Sequence, residues 1–85
     1  MQGASVLSSV QRQILQFFLE HSNAVETVRG MSTWLGADPE MIESALSGLV
    51  DRKWLLSHAT DAVTGYTLTS EERFVSQIKQ TLELP

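Results

Sequence analysis

Ser32-Thr33-Trp34-Leu35-Gly36-Ala37-Asp38-Pro39-Glu40 is the stretch on which the fold turns. Gly36 reads as a helix stop, because glycine takes the left-handed conformation at no steric cost. A small residue, Ser32, stands four positions before it. Asp38 then suits the N-cap of a new helix, and Pro39 suits its first position, where the missing N–H loses nothing. Glu40 sits at the positive end of that helix dipole. Two helices therefore meet at a tight turn. Working back, Thr27 is placed to cap a short helix from Val28 to Leu35. Gly30 in its middle costs about 1 kcal/mol against alanine, so packing must hold it. Working forward, Ile42, Ala45, Leu46, Leu49 and Val50 form the buried stripe of the second helix. Gly48 weakens it slightly.

Further upstream, Ser8 and Gln11 are spaced as a capping box. Val10, Ile14, Phe17 and Phe18, with Leu15 beside them, make one helical face. His21-Ser22-Asn23 ends that helix, with Asn23 as the expected left-handed cap. Residues 1–7 read as a flexible arm. Downstream, Leu55 to Ala59 and Tyr66 to Thr69 read as strands, joined by a turn at Asp61-Ala62-Val63-Thr64-Gly65. Whether Leu55 or Leu56 points inward is open at this level. Thr69 and Glu72 are spaced as a second capping box, opening a helix over residues 70–84. Phe74, Val75, Ile78 and Leu82 form its apolar stripe.

This order of caps, stripes and turns resembles the winged-helix family over Val10 to Thr69. The residues that carry the resemblance are Ser32 to Gly36, Ile42 six positions on, the Leu46/Leu49 pair and Gly65-Tyr66-Thr67-Leu68-Thr69. It implies a mainly α fold with a small β-hairpin: a three-helix core, a two-stranded wing and an added C-terminal helix. Residues 1–85 form a single domain on this reading. The resemblance also implies a one-bridge strand at Ala24-Val25-Glu26. It places Lys53 where such proteins usually have glycine, so Lys53 is expected at positive φ.

Composition bounds the function. With 85 residues, 42% hydrophobic and 19% charged, the chain reads as one ordinary globular domain. A domain this small buries roughly 60–65% of its extended surface. The formal charge of −4 argues against a strong non-specific grip on nucleic acid or an anionic membrane. There is no cysteine, which removes disulfides, thiolate metal sites and cysteine nucleophiles. No apolar run reaches membrane-spanning length, and the start lacks signal-peptide character. A cytoplasmic location is the default expectation. No catalytic residue, metal or cofactor is implied. Ser57, His58 and Asp61 lie close in sequence, but neighbouring strand residues point to opposite faces.

In winged-helix proteins the third helix commonly enters the major groove. The resemblance puts Glu40, Met41, Glu43, Ser44 and Ser47 on that face. None is basic. Arg29, at the start of the second helix, is placed for a backbone phosphate. Arg52 and Lys53 are the other candidate phosphate contacts. From Trp54 to Glu72 there is no Lys or Arg, and only His58 can become cationic there.

Two readings follow. The acidic third helix and neutral wing favour a regulatory module acting through protein–protein contacts in a transcription or nucleic-acid-related complex. Fold analogy favours a dimeric DNA-binding transcriptional regulator with weak or assisted affinity. In either case the Phe74, Val75, Ile78 and Leu82 stripe needs cover. Helix 1 of the same chain or a second copy would supply it, and the expectation is a homodimer built on this helix. Trp34 reads as a lid over the turn between the second and third helices, and otherwise as an exposed anchor for a partner. Trp54 reads as core.

Overall fold

The structure, a computed structural model, describes residues 7–83. Its elements are α1 (Ser9–Glu20), α2 (Val28–Leu35), α3 (Pro39–Asp51), β1 (Leu55–Ala59), β2 (Thr64–Leu68) and α4 (Glu72–Leu82). The first three helices and the inner face of the hairpin enclose one core. Ile14, Leu15, Phe18, Met31, Ile42, Leu46, Leu49 and Leu55 are fully inaccessible there. Each side chain so covered contributes roughly 1.5–3 kcal/mol. Among the described residues no helix is long and apolar enough to cross a membrane.

The local signals act as expected at most joints. The Ser8 hydroxyl accepts from Gln11 N at 3.0 Å, and the Gln11 amide oxygen accepts from Ser8 N at 3.0 Å, which is the reciprocal box. The Thr27 hydroxyl accepts from Gly30 N at 3.0 Å. Gly36 is left-handed, with φ 68°, and its N–H donates to Ser32 O at 2.9 Å. Asp38 caps α3 by accepting from Glu40 N at 2.9 Å.

Gln11 does more than close its own cap. Its amide nitrogen crosses to α3 and donates to Ala45 O at 3.3 Å. Gly48 is what admits it, since a Cβ there would stand 2.8 Å from that nitrogen. A mid-helix glycine read from sequence as a small weakness is a seat for a neighbouring side chain.

α3 ends in a Schellman motif. Trp54 N donates to Leu49 O at 3.1 Å and Lys53 N to Val50 O at 2.8 Å. Lys53 takes the left-handed position between them, at φ 66°. A non-glycine residue there is strained. Lys53→Gly is therefore expected to raise stability by a few tenths to about 1 kcal/mol. Thermal melts would register this as a midpoint higher by up to about 4–8 °C.

β1 and β2 pair antiparallel, Leu55 opposite Leu68 and Ala59 opposite Thr64. Leu55 points inward and is fully buried, whereas Leu56 is exposed. Glu26 and Tyr66 exchange both backbone bonds, at 3.0 and 2.7 Å, which makes the one-bridge strand.

Several expectations need correction. Asn23 is not left-handed; the only positive-φ non-glycine residues among those described are Lys53 and Glu83. α1 ends at His21, whose carbonyl is taken by Ala24 N at 2.9 Å, so the chain turns without a left-handed residue. The second strand begins at Thr64, two residues early, because the turn is tighter than the sequence suggests. Thr60 N donates to Val63 O at 2.8 Å and the Thr60 hydroxyl accepts from Val63 N at 3.1 Å. Gly65 is thus inside the strand, beneath the Val25 side chain. Thr69 does not cap α4. It is buried at the end of the hairpin, donating from its N–H to Trp54 O at 3.0 Å, while Glu71 is the N-cap and makes no side-chain cap bond. Leu7 is 5% exposed and belongs to the core, so the arm reading fails for it; residues 1–6 lie outside the described residues.

The α4 stripe divides. Ile78 is fully buried and Leu82 is 6% exposed, both in the chain's own core cluster, while Phe74 and Val75 are half-buried. Two of the four side chains named as a dimer stripe are therefore covered within one copy. Trp54 is core, as expected, and its indole N–H donates to Gln77 Oε1 on α4 at 3.3 Å.

Candidate nucleic-acid interface

α3 buries Ile42, Ala45, Leu46 and Leu49, which leaves the opposite side of the helix free. Glu40, Met41, Glu43, Ser44 and Ser47 are all exposed there. Glu40, Ser44 and Ser47, at i, i+4 and i+7, form the central ridge. Glu43 and Met41 flank it on opposite sides. Met41 lines a groove against the first turn of α1, with Ser8 and Val10. Glu43 lines a groove of about 500 Å³ between the start of α2 and the wing, with Arg29, Val63 and Thr64.

The three candidate phosphate contacts are not brought together. Arg29 is exposed beside Glu43, on the wing side of α3. Arg52 is half-buried at the other end of the helix, its guanidinium 5.1 Å from the centre of the Trp54 ring. Lys53 lines a different groove, shared with Leu56, His58 and Phe74. Arg29 is thus the only one of the three that flanks the predicted reading face. No ion pair joins it to Glu43 among the described residues.

The wing is short and neutral. His58 Nε2 lies 3.0 Å from the Thr67 hydroxyl, on the outer face of the hairpin. Ser57 is opposite Tyr66 and His58 opposite Gly65, so their side chains lie on opposite faces and cannot act as a pair. Val63 is exposed at the wing tip. Sequence reasoning missed the bond from Gln11 to α3; the unexplained glycine in mid-helix was its only signal. The preferred reading of Trp34 as a lid over the turn gives way to the second one, an exposed aromatic, whose ring meets Phe17.

No protein-family model and no curated protein matches the chain. Solved structures do match it. A possible transcriptional regulator from Methanosarcina mazei Go1 superposes with a TM-score of 0.75 at 16% identity, over 94% of this chain and 71% of that one. A MepR mutant from S. aureus bound to an oligodeoxyribonucleotide gives 0.72 at 13% identity, over 89% and 55%. A ZitR mutant from Lactococcus lactis in complex with DNA gives 0.68 at 21% identity, over 96% and 56%. The chain spans about half the length of the latter two. These likenesses and the element order define the fold as a winged helix-turn-helix with an added C-terminal helix.

Proposed function

We propose that this chain is the DNA-binding module of a transcriptional regulator and that it works as a homodimer. The observation that carries the reading is the free face of α3, with Glu40, Ser44 and Ser47 along its ridge and Arg29 on its flank. The DNA complexes of two fold neighbours support this reading over one limited to protein contacts. The acids on α3 then set the strength of the grip. Phosphate contacts dominate affinity, and one copy offers Arg29 near the face with Arg52 and Lys53 well apart from it. A second copy doubles that supply and matches a two-fold site. Glutamate accepts from the cytosine amino group, so Glu40 and Glu43 suit base readout more than backbone contact.

Titration against random duplex across a range of salt tests this. Binding is expected to be weaker than about 1 µM at physiological salt, with a slope of log K against log salt near −0.9 for each phosphate neutralised. Arg29→Ala should make that slope shallower by about 0.9. Sub-micromolar binding to random sequence would overturn the account of the acidic face. An unchanged slope in Arg29→Ala would remove Arg29 from the interface.

A further inference from the structure

Trp34 is the one exposed residue among the described Phe, Tyr and Trp side chains, at 63%. Its ring meets Phe17 edge-on, with centroids 5.2 Å apart, and its remaining surface faces solvent. Beside it runs a groove of about 210 Å³ between α1 and the end of α2, lined by Gln13, Gln16, Phe17, Glu20, Trp34 and Leu35. That is room for one long side chain.

Charge decides what kind. Two other rings carry an arginine of their own: Arg52 stands 5.1 Å from the centre of Trp54, and Arg73 stands 4.7 Å from that of Phe74. Trp34 has no such cation among the described residues, and residues 1–6 and 84–85 contain no Lys or Arg. Glu20, on the same groove, is exposed and makes no ion pair among the described residues. The groove therefore offers an aromatic face, a free carboxylate and the two amide carbonyls of Gln13 and Gln16. A planar guanidinium uses all of them. It stacks on the indole, donates to the carboxylate in a charge-assisted bond and has donors left for the amides. An ammonium group lacks the plane and the fork. An anion would meet Glu20.

We propose that the Trp34 groove is a docking site for an arginine side chain of a protein partner. It shares no lining residue with the two grooves beside α3, so it goes beyond the DNA-binding reading and does not depend on it.

The test is a two-dimensional NMR titration of the isotope-labelled chain with Ac-Gly-Arg-Gly-NH2, without DNA. The Trp34 indole N–H and the Glu20 amide should shift saturably. The Trp54 indole N–H, buried and bonded to Gln77, should stay still and serves as the internal reference. Trp34→Ala should abolish the Glu20 response, and Glu20→Gln should weaken binding by about three- to tenfold. Both side chains are exposed; Trp34→Ala gives up one edge contact to the core residue Phe17, and an unmoved Trp54 indole signal checks that the core persists. The proposal is overturned if no saturable shift appears. It is equally overturned if Ac-Gly-Glu-Gly-NH2 moves the same resonances, or if Trp34→Ala leaves the Glu20 response intact. Movement of the Trp34 signal with protein concentration alone would also overturn it, since the occupant would then be a second copy.

Discussion

Ile78→Glu is expected to abolish cooperative folding. Ile78 is fully buried and sits with Leu82 in the cluster that α1, α3 and β1 build. Losing such an apolar side chain alone costs about 2–5 kcal/mol. A carboxylate sealed in its place finds no partner there, which adds several more or forces it to take up a proton. Small domains have only about 5–15 kcal/mol in total. Circular dichroism should show no thermal transition, and sedimentation should show an expanded or aggregated chain. The alternative outcome is informative. A folded monomer in place of a dimer would mean that Ile78 faces a second copy, as the sequence stripe suggested. A homodimer must now be sought through the half-buried Phe74 and Val75. Sedimentation of the unaltered chain at micromolar concentration is the direct measure.

The second large effect is a gain. Replacing Glu40 and Glu43 together with lysine adds two charge units at each position, which cancels the formal net charge of −4. Both positions are exposed on α3, so the fold should persist. If α3 lies against a duplex, each new cation near a phosphate strengthens non-specific binding by about tenfold at 0.1 M salt and steepens the salt slope by about 0.9. Affinity for random duplex should therefore rise by one to two orders of magnitude, and discrimination between sequences should fall. Unchanged affinity would mean that this face does not meet DNA.

The helix-turn-helix was legible because its signals are local and chemically narrow. Gly36, Asp38 and Pro39 each serve one purpose at one place, while the Lys53 corner followed from the winged-helix resemblance, which has glycine there. The failures have a common cause. Asn23 and the Thr69/Glu72 pair carry suitable side chains, but the chain satisfies its backbone groups by other routes: a turn bond from Ala24 in one case, and the end of the hairpin in the other. Local chemistry shows what a residue is able to do and not which of two routes wins. The site divided in the same way. The winged-helix resemblance put Glu40, Met41, Glu43, Ser44 and Ser47 on the outer face of α3, and all five are exposed there. The three cations part company only in the fold, with Arg29 beside Glu43, Arg52 on the Trp54 ring and Lys53 turned into another groove. The fate of Trp34 depended on its contact with Phe17, seventeen positions away in the chain, which no local pattern carries.

Gln11 reaches Ala45 O across the space that Gly48 leaves open. The first turn of α1 and the middle of α3 are thereby keyed to one another, like a dial held by a detent. Rotating α3 about its own axis by even a fraction of a turn would break that bond and drive the amide into the neighbouring turn. The angular setting of Glu40, Ser44 and Ser47 is therefore held from the flank of the helix, in the groove that Gln11 shares with Glu40, Met41 and Ser44. If α3 meets a duplex, a glycine and a glutamine thereby set the angle at which its face is presented.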